Sequence, residues 1–76
     1  MEQAYCFFHQ KWRVYSGKSS ETQQDDIEYA VSAYADAMDA GLFTLLSGGN
    51  PAFLHEHSSF AKDITHALAL LERGLG

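Results

Sequence analysis

The side chains best equipped for chemistry cluster in His55-Glu56-His57, with Asp63 and His66 a short way on. Two histidines this close suggest a metal site. On a helix, though, imidazoles two residues apart stand about 200° apart around the axis, so they cannot close on one ion. The helical zinc motif sets its histidines four apart. His55 and His66 share a face but lie about three turns apart, too far for a common ion. Asp63 and His66 have the one-turn spacing of an orienting carboxylate and a base, and Ser59 lies a turn before Asp63. Nothing in that spacing places the serine against the histidine, so a surface Asp/His pair is the expected meaning. His66 would still make any interface it joins responsive to pH. Gly17-Lys18-Ser19 has the ending of a phosphate-binding loop, but the position five before Gly17, where such a loop needs glycine, is Trp12. The expectation is a protein that is not an enzyme, with no catalytic residue, metal or cofactor.

Composition narrows the classes further. With 46% hydrophobic and 20% charged residues, the 76-residue chain has the balance of a single small globular domain, residues 1–76, rather than of a disordered tail. At this length one core barely balances conformational entropy, so a partner is expected to share in stability. The net charge of −5 is unevenly spread. Residues 1–18 set Lys11, Arg13 and Lys18 against Glu2, while the rest sets Lys62 and Arg73 against nine carboxylates, giving +2 and −7. A surface that acidic repels phosphate backbones, which argues against direct nucleic-acid binding and leaves mimicry of nucleic acid open. Cys6 is alone, expected as a small buried apolar side chain, and its solitude fits a reducing compartment. The start of the chain lacks a basic signal-peptide region, and no apolar run approaches the ~20 residues of a membrane span. A cytoplasmic protein with no membrane association is the expectation.

The elements that must position these residues turn on Ser47-Gly48-Gly49-Asn50-Pro51. The glycines suit the left-handed end of one helix, Asn50 can cap the next, and Pro51 suits a first helical turn. Before this turn, Ile27, Val31, Tyr34, Met38, Leu42 and Leu45 form an apolar seam at helical spacing. Thr22 with Asp25 resembles a capping box at its start, and Gly41 predicts a kink or brief stop inside it. After the turn, Phe53, Leu54, His57, Phe60, Ala61, Ile64, Ala67, Leu68 and Leu71 continue a seam, which Ser59 could divide by capping a new helix. The predicted fold is all-α: an antiparallel helical hairpin of about 22–47 and 51–73. A third N-terminal segment, about 3–15, carries Tyr5, Phe8, Trp12 and Tyr15 on one helical stripe, with a strand or hairpin as the alternative. This aromatic segment is read as a cover for the hairpin. Its aromatics beside Lys11 and Arg13 also resemble stacking platforms for single-stranded nucleic acid, a reading that the acidic hairpin opposes.

The run Leu45-Leu46-Ser47-Gly48-Gly49-Asn50-Pro51-Ala52-Phe53-Leu54, with the seam through Leu71, resembles the hairpin of small type III secretion proteins. It looks most like the bacterial co-chaperones that keep needle subunits from polymerising in the cytoplasm, and it is also similar to the needle subunits themselves. The resemblance implies a helical hairpin that binds another protein. The residues agree with that role, because a seam on so short a chain leaves apolar surface for an amphipathic helix of a partner, in a homo- or hetero-oligomer. The partner-binding residues expected are Val31, Tyr34, Met38, Leu42, Phe53, Phe60, Ile64 and Leu68, rimmed by the acidic Asp25, Asp26, Asp36, Asp39 and Asp63. The competing expectation is a phage or mobile-element inhibitor that presents the acidic face in place of nucleic acid.

Overall fold

The computed structural model describes residues 2–75 and is all-α, with no strand among them. Four helices follow in order: α1 (Glu2–Ser16), α2 (Glu21–Ala37), α3 (Ala40–Ser47) and α4 (Phe60–Leu75), the last preceded by a 3-10 turn at His57–Ser59. The aromatic first segment is thus a helix. It is also more than a cover, because α1 packs against both α2 and α4. Phe8 is completely buried, Phe7 stacks on Tyr34 of α2 at 4.2 Å, and Tyr15 meets Phe60 of α4 at 4.9 Å. Cys6, in contrast, is exposed rather than buried: it falls on the opposite side of α1 from Ala4 and Phe8.

The cap of α2 lies two residues before the predicted one. Ser20, not Thr22, accepts the Gln23 N–H at 3.2 Å, and the Gln23 side chain accepts the Ser20 N–H at 2.9 Å. Serine with glutamine three residues on is the stronger pair, since the longer side chain reaches back to the cap. The seam that reads as continuous to residue 47 is broken at Met38 and Asp39, where the backbone leaves the helical conformation. Asp39 causes the break by capping α3: its carboxylate accepts the Leu42 N–H at 3.0 Å. Gly41, expected to be the stop, lies instead inside the first turn of α3, where a Cβ would come within 3.0 Å of that carboxylate.

The reversal at Ser47–Pro51 is present and brings α3 against α4. Gly48 ends α3 in the left-handed conformation at φ +64°, its N–H bonding the Thr44 carbonyl at 3.0 Å, and Gly49 continues at φ +90°. The second limb then departs from expectation, since Pro51–His55 forms turns and α4 begins only at Phe60. Asn50 caps a turn, its side chain accepting the Ala52 N–H at 3.1 Å. Leu54 interrupts any helix by adopting φ +64°, rare for a branched side chain. Asp63 holds it there, accepting the Leu54 N–H at 3.0 Å and the Ser59 hydroxyl at 3.1 Å. The enclosed side chains are Ala4 and Phe8 of α1, Ile27, Val31 and Ala35 of α2, Leu46 of α3, Phe53 and Leu54 of the connection, and Phe60, Ile64, Ala67 and Leu71 of α4. Burying each of the larger ones contributes about 1.5–3 kcal/mol.

A candidate binding groove

The packing of α1 and the 47–53 connection over one edge of α4 leaves an open groove of about 690 Å³. Along α4, Ala61, Thr65 and Ala69 recur every four residues and form its floor, all three exposed. The Thr65 hydroxyl is spent inside the helix, donating to the Ala61 carbonyl at 2.7 Å. Trp12 of α1 forms one side, half-buried and stacked on Tyr15 at 6.0 Å. Phe53 forms another, meeting the His66 ring edge-on at 6.2 Å. Ser47 and Asn50 close one end, and Lys62, Asp63 and His66 supply polar groups. A floor of small residues between two large rings admits the close approach of an apolar segment.

The groove is not the surface drawn from the seam. Val31, Phe53, Phe60 and Ile64 are at most 4% exposed and serve the chain's own core, so a partner cannot take its main contacts from them. Of these four only Phe53 borders the groove. Tyr34, Met38, Leu42 and Leu68 are half-buried against the core, and Tyr34 is covered by Phe7. The physical reason is α1: by packing on α2 and α4 it consumes the apolar seam that a two-helix reading leaves open. The sequence pattern places Trp12 in the aromatic cover and Ala61 in the apolar seam, and gives Thr65 and Ala69 no role; the four-residue spacing of these three α4 residues is the signal that points to the floor.

The acidic rim is likewise divided. Asp25 and Asp26 are exposed, Asp39 caps α3, Asp63 is buried beneath the connection, and Asp36 lies 2.7 Å from the Nε2 of His55. Glu28 of α2 joins three elements, accepting the Tyr15 hydroxyl at 3.0 Å and the Nδ1 of His57 at 2.8 Å. Burial, then the Glu28 carboxylate, raises the Tyr15 hydroxyl above its usual range. His55 and His57 therefore take separate carboxylates of α2, and no group of three or more metal-ligating side chains comes together among the described residues.

No protein-family model matches the chain, and comparison with curated proteins and with solved structures found no match. No helix among the described residues is long and apolar enough to cross a membrane. What the fold defines is a small all-α protein with a groove between its first and last helices.

Proposed function

We propose that the chain is a non-enzymatic protein-binding module that seats an amphipathic helix of another protein in the α1–α4 groove. One observation carries this reading: a floor of small side chains, Ala61, Thr65 and Ala69, runs along α4 between Trp12 and Phe53. Small residues let a guest helix approach closely, while the two rings offer the large apolar contacts that dominate helix-in-groove binding. The turn at Ser47–Pro51 and its resemblance to small type III secretion proteins supply the specific form: a cytoplasmic bacterial co-chaperone that holds a needle-type helix before assembly. The lone Cys6 supports a reducing compartment. The alternative, an acidic mimic of nucleic acid, has less to work with, since Asp36 and Asp39 are engaged within the fold.

The groove is open to direct test, because Ala61 and Ala69 are exposed and tolerate larger side chains without strain on the core. Ala61→Trp and Ala69→Arg are expected to leave the melting transition unchanged and to abolish capture of the partner that the unaltered chain retrieves from its native host. Asp25→Asn with Asp26→Asn should leave that capture nearly intact. Retention of the same partner by both groove variants would sink the reading, and its loss on neutralising the aspartates would favour the mimic.

A further inference from the structure

The histidines that draw attention in the sequence have a use unrelated to metal. The segment from Pro51 to Ser59 contains no α-helix, yet it covers two enclosed side chains, Phe53 and Leu54. It is tied to α4 through Asp63 and to α2 through two imidazoles. His55 reaches Asp36 with Nε2 at 2.7 Å while its Nδ1 lies 2.6 Å from the Phe53 carbonyl. His57 sets Nδ1 against both oxygens of Glu28, at 2.9 and 2.8 Å. The two carboxylates lie eight residues apart on α2, about 12 Å along the axis, so the strap is stitched to that helix at two well-separated points.

The ring of His55 decides the chemistry. A carbonyl and a carboxylate only accept, so both ring nitrogens must donate, and only the imidazolium carries two N–H groups. Loss of its proton turns one contact into lone pair against lone pair. His57 keeps one N–H for Glu28 when neutral but gives up the ion pair, leaving a hydrogen bond from an uncharged donor. The charged groups facing the two rings are carboxylates: Glu21, Asp25, Glu28 and Asp36 from α2, with Glu56 between them on the strap. Tyr15 of α1 shares Glu28, and Phe43 of α3 meets His55 edge-on at 6.2 Å. From α4 the strap meets Asp63 at Leu54 and His66 at Phe53.

We propose that residues 51–59 form a pH-released strap, closed on α2 while His55 and His57 carry their protons and loosened from it when they lose them. Gly48 and Gly49, both at positive φ, provide the hinge at one end, and the Asp63 clamp keeps the strap attached to α4 as its α2 side lifts. Both imidazoles are raised above the ordinary value of about 6.5, His55 chiefly by the Phe53 carbonyl and His57 chiefly by Glu28. The sign follows: closure is complete below about pH 6.5 and is lost as pH rises through the value of each held ring. Linkage sets its size at roughly tenfold in the opening equilibrium for each pH unit separating a held ring from a free one.

Amide hydrogen exchange of the full chain tests this from about pH 5.5 to about pH 9, corrected for intrinsic rates. Protection of the His55 amide, bonded to the Ala52 carbonyl inside the strap, should fall with rising pH, while that of Leu54, held by the Asp63 clamp, and of Phe8 and Ile64 stays constant. His55→Gln with His57→Gln should give low strap protection without the pH dependence. A strap equally protected at both ends of the range, or the same slope in the double variant, overturns the proposal. Nitrogen chemical shifts of the rings in the unaltered chain supply a second measure that needs no variant. Titration of His55 above the free imidazole value supports the latch, and titration at or below it overturns the latch.

Discussion

Asp63 is the charged side chain that the fold encloses among the described residues, and both groups it holds lie outside the helix that carries it in register with the core. Removing its carboxylate leaves the Leu54 N–H buried and unpaired, with Leu54 still in a left-handed conformation that L side chains rarely adopt. Asp63→Ala should therefore cost about 1.5–3 kcal/mol of stability by urea unfolding, the range for hydrogen bonds to charged groups. Asp63→Asn, which retains an acceptor oxygen, should cost less than half of that. Equal losses in the two variants would mean that packing rather than the hydrogen bonds explains the burial. The sequence shows Asp63 one turn from His66 and suggests a surface pair; its real partner is a backbone N–H nine residues earlier. That N–H becomes available only because Leu54 turns left-handed, and no periodicity announces such a residue. The same limit hid the pairing of His55 and His57 with α2, because contacts made across a folded connection leave no spacing to read.

At the scale of elements, helix identity was legible and helix extent was not. Ile27, Val31, Tyr34, Met38, Leu42 and Leu45 keep helical spacing straight through the break at Met38–Asp39, but the buried face does not follow them: in α3 Leu46 is enclosed while Leu45 is exposed. What divides the two helices is local: Asp39 bonding the third amide of α3. Asp39→Ala should cost about 1 kcal/mol, the usual worth of such a cap. Gly41 is coupled to it, since a Cβ at that position crowds the cap carboxylate. Gly41→Ala alone gains about 1 kcal/mol of helix propensity and loses a similar amount of capping, so its net effect should be small. In the Asp39→Ala background the same change should stabilise by about 1 kcal/mol, because there is no cap left to disturb. A double-mutant cycle from thermal melts measures the coupling, and strict additivity would separate the glycine from the cap. The predicted helix from Pro51 failed for a related reason: Phe53 and Leu54 belong to the apolar pattern because they are buried, and burial in a connection looks the same as burial in a helix.

For the molecule as a whole, the largest difference between pattern and structure is the role of α1. A chain of this size has few ways to enclose a core, and a two-helix hairpin leaves both flanks of its seam wet. The aromatic helix resolves this by packing on both α2 and α4, with Phe8 completely enclosed and Phe7, Trp12 and Tyr15 spread around it. That same packing removes Val31, Phe60 and Ile64 from any partner and leaves the groove beside Trp12 as the open apolar surface along α4. Stability and the proposed binding groove are therefore set by one helix, through different residues. Stabilities of about 0.05–0.15 kcal/mol per residue put a chain this long in the range of roughly 4–11 kcal/mol, and a buried Phe→Ala change costs about 3–5. Phe8→Ala should accordingly lose most of the cooperative unfolding transition, seen as a shallow melt in far-ultraviolet circular dichroism. Trp12→Ala, at a half-buried position facing the groove, should retain a sharp transition and lose the partner instead. If Phe8→Ala melts as sharply as the unaltered chain and near the same temperature, α1 is an accessory that the remaining helices do not need.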